Sequence, residues 1–172
     1  MILDEVKNLY KIVQLKEFRK TANVSFDSLE SNEIPHINGI DRVLHAPNAQ
    51  SPGKLPACDA PWYMHPYQED NLMVLYGTRF VEIYSPEYGK IEQFTVSPNK
   101  IIHGEKVYDY AAMLVWPCGV FHRIVSGEEG SASVNFAVRF NGFDIDTNFN
   151  IYSLDTKTGQ YRVIRKGALD QN

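Results

Sequence analysis

Short apolar runs separated by proline and glycine turns fill the chain from Trp62 onward, and this spacing constrains the fold more than any other feature. Arg79 to Tyr84 divides into two alternating faces, and in Ala132 to Phe140 every second residue is apolar. Alternation with a period of two is typical of half-buried strands. About ten short strands with little helix predict an all-β sandwich or barrel. Small barrels of this kind either fill their interior with side chains or enclose one small ligand.

The first part of the chain is less regular. We predict a helix up to Leu9 followed by a strand from Tyr10 to Leu15, and a single helix through Phe18 is the alternative. The polar segment from Thr21 to Glu33 predicts irregular structure. Four prolines and a glycine between Ala46 and Pro61 predict a long ordered loop or arm.

The composition limits the classes of function. A chain of 172 residues with 44% hydrophobic residues is one domain with a sizeable core, in which we expect residues 1–60 to pack on a barrel formed by residues 61–172. A net charge of −4 with scattered basic residues does not favour nucleic-acid binding. The acidic start and the lack of a run of ~20 apolar residues indicate a cytoplasmic protein with no membrane partner. We expect Cys58 and Cys118 to be free thiols.

A histidine, two carboxylates and an apolar run follow one another between Pro61 and Gly77. His65 ends an extended segment, because Pro66 lacks an amide proton and prevents a helix from passing through. The strand that follows places the imidazole near the carboxylate of Asp70 or Glu69 at the end of a sheet.

A second polar cluster lies at Pro117 to His122, where proline and glycine make a sharp corner at the start of a strand. His65, His122 and Asp70 (or Glu69) together supply two imidazoles and one carboxylate. This set is typical of metal sites that keep open positions for water, oxygen or substrate. One divalent metal, Fe, Mn, Ni or Zn, is therefore the expected cofactor, and the sequence does not choose among them.

The two clusters resemble the two motifs of the cupin superfamily. The first motif is His-x-His, three or four residues, Glu, six residues and Gly, and the second contains Pro-x-Gly-x-x-His. The matching positions are His65, Asp70 and Gly77 in the first motif and Pro117, Gly119 and His122 in the second. The resemblance implies a double-stranded β-helix, the jelly-roll or cupin barrel, with an irregular N-terminal arm.

The chain departs from these motifs in ways that bear on function. Tyr63 stands at the first histidine position, Asp70 replaces the glutamate, Ala111 replaces the leading glycine of the second motif and Ser126 its last asparagine. The resemblance implies a metal held by His65, Asp70 and His122, with Tyr63 as a fourth ligand or a hydrogen-bond partner. It also implies a homodimer, in which the arm before Pro61 crosses between the subunits.

Three functional hypotheses follow, each with a small-molecule substrate or ligand. The first is a mononuclear metalloenzyme, for which the resemblance names dioxygenase chemistry first. The second is a metal-free cupin that binds a sugar or an acid. The third is a metal-independent isomerase or epimerase, in which His65 or His122 acts as general base and Tyr63 as acid.

Overall fold

Two long antiparallel strands, Gln68–Tyr84 (β8) and Phe121–Arg139 (β13), form the frame of the protein. The computed structural model describes residues 1–30, 32–34 and 36–170. β8 spans 17 residues, β13 spans 19, and they pair along most of their lengths. The strands β1 to β15 are, in order, Ile2–Val6, Tyr10–Gln14, Lys16–Thr21, Val24–Ser28, Gly39–His45, Gln50–Ser51, Trp62–Met64, Gln68–Tyr84, Glu92–Ser97, Lys100–His103, Lys106–Tyr108, Ala112–Trp116, Phe121–Arg139, Ile151–Leu154 and Tyr161–Arg165.

The chain folds as a jelly-roll, cupin-type β-barrel, as predicted. Thirteen strands belong to one sheet, which runs β1-β2-β12-β8-β13-β7-β14-β15 with β5, β6, β9, β10 and β11 attached, while β3 and β4 form a separate hairpin. In the part of the chain that the structure describes, helix is limited to α1, Ile145–Asn148, and to a 3-10 turn, Gly167–Asp170. Over the described residues no helix has the length and apolar character needed to cross a membrane. Cys58 and Cys118 are free thiols.

β8 and β13 are continuous where the sequence predicts breaks. The apolar run Leu72 to Tyr76, closed by Gly77, predicts a short separate strand, and Ser126 to Gly130 predicts a turn. Both segments lie inside long strands, whose register shifts between Ser126 and Ser131. Gly77 has a φ of +69°, and a β-carbon there would collide with the carbonyl oxygen of Gly130. Only glycine permits this conformation and this close approach, so the strands bend instead of ending.

The helix predicted up to Leu9 is wrong. These residues form β1 and a turn, and β2 pairs with β12, with Ile12 opposite Leu114. Leu9, Tyr10 and Ile12 are fully buried in the main apolar core. Burial of these side chains outweighs the weak local preference for helix. The segment from Thr21 to Glu33, predicted as irregular, contains β4.

Candidate functional site

β7, β8 and β13 bring together His65, Asp70 and His122. His65 follows the last residue of β7, Asp70 lies on β8 opposite Trp116, and His122 lies on β13 opposite Tyr63. All three side chains are buried, and one nitrogen or oxygen atom of each lies within 4.8 Å of the others. The predicted set of two imidazoles and one carboxylate therefore assembles at one point inside the barrel.

Both ring nitrogens of His65 have partners. Nδ1 lies 2.5 Å from the carbonyl oxygen of Asn148, at the end of α1, and Nε2 lies 3.3 Å from Oδ2 of Asp70. A carbonyl oxygen only accepts hydrogen bonds, so Nδ1 donates, and Nε2 faces a carboxylate. Burial alone lowers the pKa of an imidazole, but the charge of Asp70 and these hydrogen bonds raise the pKa of His65 above its usual value. We interpret His65 as an imidazolium.

Asp70 is the anionic partner of this pair. Its Oδ1 accepts hydrogen bonds from Nε2 of Gln68 at 2.8 Å and from Nδ2 of Asn135 at 2.7 Å. Burial alone raises the pKa of a carboxyl group, but the charge and hydrogen bond of His65 hold the pKa of Asp70 well below its usual value. Gln68 is itself held by Asn148, whose Nδ2 donates to Oε1 at 3.3 Å. The residue at the end of α1 thus positions both members of the ion pair.

His122 is the neutral member of the cluster. Its Nδ1 lies 3.3 Å from the carbonyl oxygen of Val120, and its Nε2 lies 3.8 Å from Oδ2 of Asp70. Burial and the neighbouring charge of His65 lower the pKa of His122 to about 4. With the Nδ1 proton directed to a carbonyl, the lone pair of the ring lies on Nε2. A buried neutral imidazole with this lone pair is chemically able to accept a proton.

Tyr63 and Glu69, the other predicted site residues, have different positions. The Tyr63 ring centroid lies 6.0 Å from that of His122 and 6.4 Å from that of His65, and burial raises the pKa of its hydroxyl. Glu69 lies on the opposite face of β8, within 3.4 Å of the Nδ2 atom of Asn71. Because successive residues of a strand point to opposite faces, Asp70 and not Glu69 reaches the cluster.

The cluster opens into a cavity of about 140 Å³ inside the barrel. Its volume is close to that of an engineered apolar cavity of ~150 Å³ that binds benzene, so it accommodates a six-membered ring. Sequence reasoning missed several residues of its wall, although strand alternation carries a signal for all of them except Phe149, which follows α1. Those residues are Asp41, His45, Gln68, Arg79, Ser133, Asn135 and Phe149.

Comparison with known proteins supports the fold. No family model matches the chain, and no curated protein matches it. A TDP-quinovose 3,4-ketoisomerase from Campylobacter jejuni matches with a TM-score of 0.57 and 17% identity, over 81% of this chain and 89% of that one. A sugar 3,4-ketoisomerase from Thermoanaerobacterium thermosaccharolyticum, solved with TDP, matches with a TM-score of 0.57 and 12% identity, over 81% of this chain and 85% of that one. A dTDP sugar isomerase from Desulfovibrio desulfuricans matches with a TM-score of 0.55 and 17% identity, over 77% of this chain and 80% of that one.

These neighbours correct the leading functional expectation. They are described as sugar isomerases, so the predictions of a metal-binding oxidoreductase, of dioxygenase chemistry and of a divalent Fe, Mn, Ni or Zn cofactor are wrong. In the structure the three side chains contact one another directly: Nε2 of His65 faces Oδ2 of Asp70, and Oδ1 of Asp70 accepts two amide hydrogen bonds. The cluster is thus held together by its own ion pair and by neighbouring amide groups.

Proposed function

We propose that the protein is a metal-independent isomerase that moves a proton between neighbouring carbons of an α-hydroxy carbonyl group in a small, sugar-like molecule. The observation that carries this proposal is the pairing of a buried neutral imidazole, His122, with a buried ion pair, His65 and Asp70, at one cavity. A neutral base beside the imidazolium end of an ion pair supplies the proton acceptor and the local positive charge that carbon-acid chemistry requires. The sugar-isomerase neighbours support the same class of reaction.

In this mechanism Nε2 of His122 takes the proton from the carbon that bears the hydroxyl group. The electron pair of that C–H bond forms the double bond of an enediolate, whose negative oxygen is stabilised by the charge of His65. The hydroxyl of Tyr63 donates to and accepts from the substrate oxygens as the hydroxyl proton moves. Return of the proton from His122 to the former carbonyl carbon completes the isomerisation, and neither an oxidant nor a reductant is consumed.

The cavity supports a single ring as the reacting unit. At about 140 Å³ it is smaller than the ~300–1,000 Å³ of typical ligand pockets. A mutant of the T. thermosaccharolyticum enzyme was also solved with TDP-4-keto-6-deoxyglucose. If this protein acts on such a molecule, the keto sugar occupies the cavity and the nucleotide lies outside it.

A homodimer is the second part of the proposal, and an exposed apolar strip supports it. Ile40 and Leu44 on β5 and Tyr76 on β8 are 70%, 57% and 57% exposed. Pairing through β13 makes Leu44 and Tyr76 neighbours across Ala132 on the outer face of the sheet. Apolar strips of this kind mark interaction surfaces. Light scattering of the purified protein tests this, and a monomer mass at working concentration would contradict it.

Solvent exchange tests the reaction. Chelator-treated protein is incubated in D₂O with TDP-4-keto-6-deoxyglucose, D-fructose or 5-keto-D-gluconate, and proton NMR follows deuterium entering beside the carbonyl. We expect exchange with at least one of these compounds, lost in His122→Gln and kept in Glu69→Gln, whose side chain lies outside the cavity. Exchange that survives in His122→Gln, or that depends on added metal, would refute the proposal. Tight binding without exchange would instead favour a metal-free binding protein.

A further inference from the structure

Arg79 is a buried cation with no ion-pair partner among the described residues. Its side chain is 1% exposed and lines the same cavity as the histidine cluster. Within the described residues it makes two hydrogen bonds, from Nε to Oγ of Ser131 at 3.0 Å and from Nη2 to the carbonyl oxygen of Val43 at 3.1 Å. Both acceptors are neutral, and no carboxylate of the described chain lies within ion-pair distance of the guanidinium. Burial lowers the pKa of Arg79 to about 10, so the group is still charged at neutral pH.

Two buried polar atoms of residues that line the same cavity as Arg79 lack a hydrogen-bond partner among the described residues. His45 lies opposite Ser131 on β5, and its buried Nδ1 atom has no hydrogen-bond partner among the described residues. The buried Oγ of Ser133, one pleat further along β13, is also without a partner there. Ser131, Ser133 and Asn135 form a polar row of about 13 Å that leads from Arg79 to Asp70. Buried polar atoms rarely remain unpaired, so a hydroxylated ligand along this row accounts for them.

The charges in the cavity specify the charge of that ligand. The charges of His65 and Asp70 cancel, and Asp41 at the cavity wall is paired with Arg139 at 3.4 Å. Arg79 is left as one uncompensated positive charge. A carboxylate carries a single negative charge and matches the planar guanidinium. A phosphate monoester carries about −1.5 to −2 and would leave excess negative charge in a buried site.

We propose that Arg79 and His45 form a subsite for the carboxylate of a small hydroxylated acid, at the end of the cavity opposite the histidine cluster. The substrate would then be a sugar acid or a related hydroxy-keto acid, with its reacting carbons at His122 and its hydroxyl groups along Ser133. A nucleoside-diphosphate sugar does not meet this requirement, because its anionic diphosphate lies between the sugar and the nucleoside. The nucleoside is also larger than the volume of the cavity. The inference rests on the proposed function only for the reacting end of the molecule.

Calorimetric titration with three sugars that differ at one carbon tests the subsite. The probes are D-glucuronate, D-glucose and D-glucose 6-phosphate. We expect D-glucuronate to bind at least about tenfold more tightly than either of the others, as a charge-assisted hydrogen bond implies. Arg79→Gln should reduce the affinity for D-glucuronate to that for D-glucose. Arg123→Gln, which removes a guanidinium outside this cavity, should leave it unchanged.

His45→Ala keeps the test decisive if Arg79→Gln fails to fold, because His45 makes no hydrogen bond through the buried Nδ1 that its loss would leave broken. It should weaken D-glucuronate binding selectively. Equal binding of the acid and the neutral sugar, preference for the phosphate, no binding of D-glucuronate, or unchanged affinity in His45→Ala would overturn the inference. Deuterium exchange on a keto compound, combined with equal affinity for D-glucuronate and D-glucose, would refute this inference alone. Preferential binding of D-glucuronate, combined with no deuterium exchange on any of the keto compounds, would refute the proposed function alone.

Discussion

Replacing Asp70 probes the buried ion pair on which the functional account depends. In Asp70→Ala the charge of His65 loses its partner, and the amide groups of Gln68 and Asn135 lose their acceptor. Removing one member of a buried ion pair costs about 3–5 kcal/mol of unfolding free energy. We expect Asp70→Ala to fall in this range.

Asp70→Asn should lower the free energy of unfolding less than Asp70→Ala, because the asparagine side chain keeps most of the hydrogen bonds. The asparagine carbonyl oxygen replaces Oδ1 as acceptor for Gln68 and Asn135, and its amide faces Nε2 of His65, which becomes neutral and accepts. The two amide hydrogen bonds at 2.8 and 2.7 Å are kept, and only the charge interaction is lost. The expected cost is about 1–3 kcal/mol.

The stability difference between the wild type and Asp70→Asn should depend on pH, and the sign of that dependence follows from the two pKa shifts. The pKa of His65 is raised in the folded protein, so its contribution is fully present below the unfolded value of about 6.5 and is lost as pH rises through the folded pKa. The pKa of Asp70 is lowered, so its contribution is present above about 4 and is lost as pH falls through the folded value. The stability gap between wild type and Asp70→Asn should therefore be largest between about pH 4 and 6.5 and should shrink above this window.

Urea unfolding of wild type, Asp70→Asn and Asp70→Ala at several pH values measures this gap directly. Glu69→Gln is the matched control, since it removes the adjacent carboxylate on the opposite face of β8. A gap that widens above about pH 6.5, or an Asp70→Ala cost no larger than that of Glu69→Gln, would refute the ion-pair reasoning.

Three further predictions concern the reaction and the fold. Tyr63→Phe should slow solvent exchange at least about tenfold and His122→Gln at least about 100-fold, as loss of proton-transfer groups implies. Exchange rates equal to that of the wild type in the NMR assay would contradict these roles. Because the pKa of His122 is about 4, the acidic limb of the kcat/KM profile should lie below about pH 5, whereas an acidic limb near pH 6.5 would contradict a buried neutral base. Gly77→Ala should cost more than about 3 kcal/mol and Gly89→Ala about 1–2, since both have φ near +70° but only the first would collide with a backbone. Similar urea midpoints for the two variants would count against this account of β8.

The sequence could predict a sandwich or barrel because alternating apolar residues between proline and glycine turns are a local pattern. The meeting of His65, Asp70 and His122 followed from the resemblance to the two cupin motifs. Local pattern gave the wrong prediction at Gly77 and at Ser126 to Gly130. Turn-forming residues there lie within bulges of the pairing between β8 and β13, two strands that are distant in the sequence. A bulge and a turn use the same residue types, and only strand pairing distinguishes them.

The chemical state of the site could not be predicted, because it depends on distant groups. The carbonyl that accepts from His65 belongs to Asn148, which is 83 residues away. The predicted metal cofactor followed from ligand types and from the resemblance alone. Arg79 is different, since its alternation with Val81 and Ile83 already placed it on the buried face of β8. An arginine on an apolar strand face was a readable signal for the carboxylate subsite.

The protonation states of His65 and His122 test the central claim most directly. Long-range ¹H–¹⁵N correlation spectra of labelled, chelator-treated protein at neutral pH report how many protons each ring carries and on which nitrogen. The account predicts that His65 is doubly protonated and that His122 is neutral, with its proton on Nδ1. A neutral His65 with a free lone pair on Nε2, or a protonated His122, would contradict it.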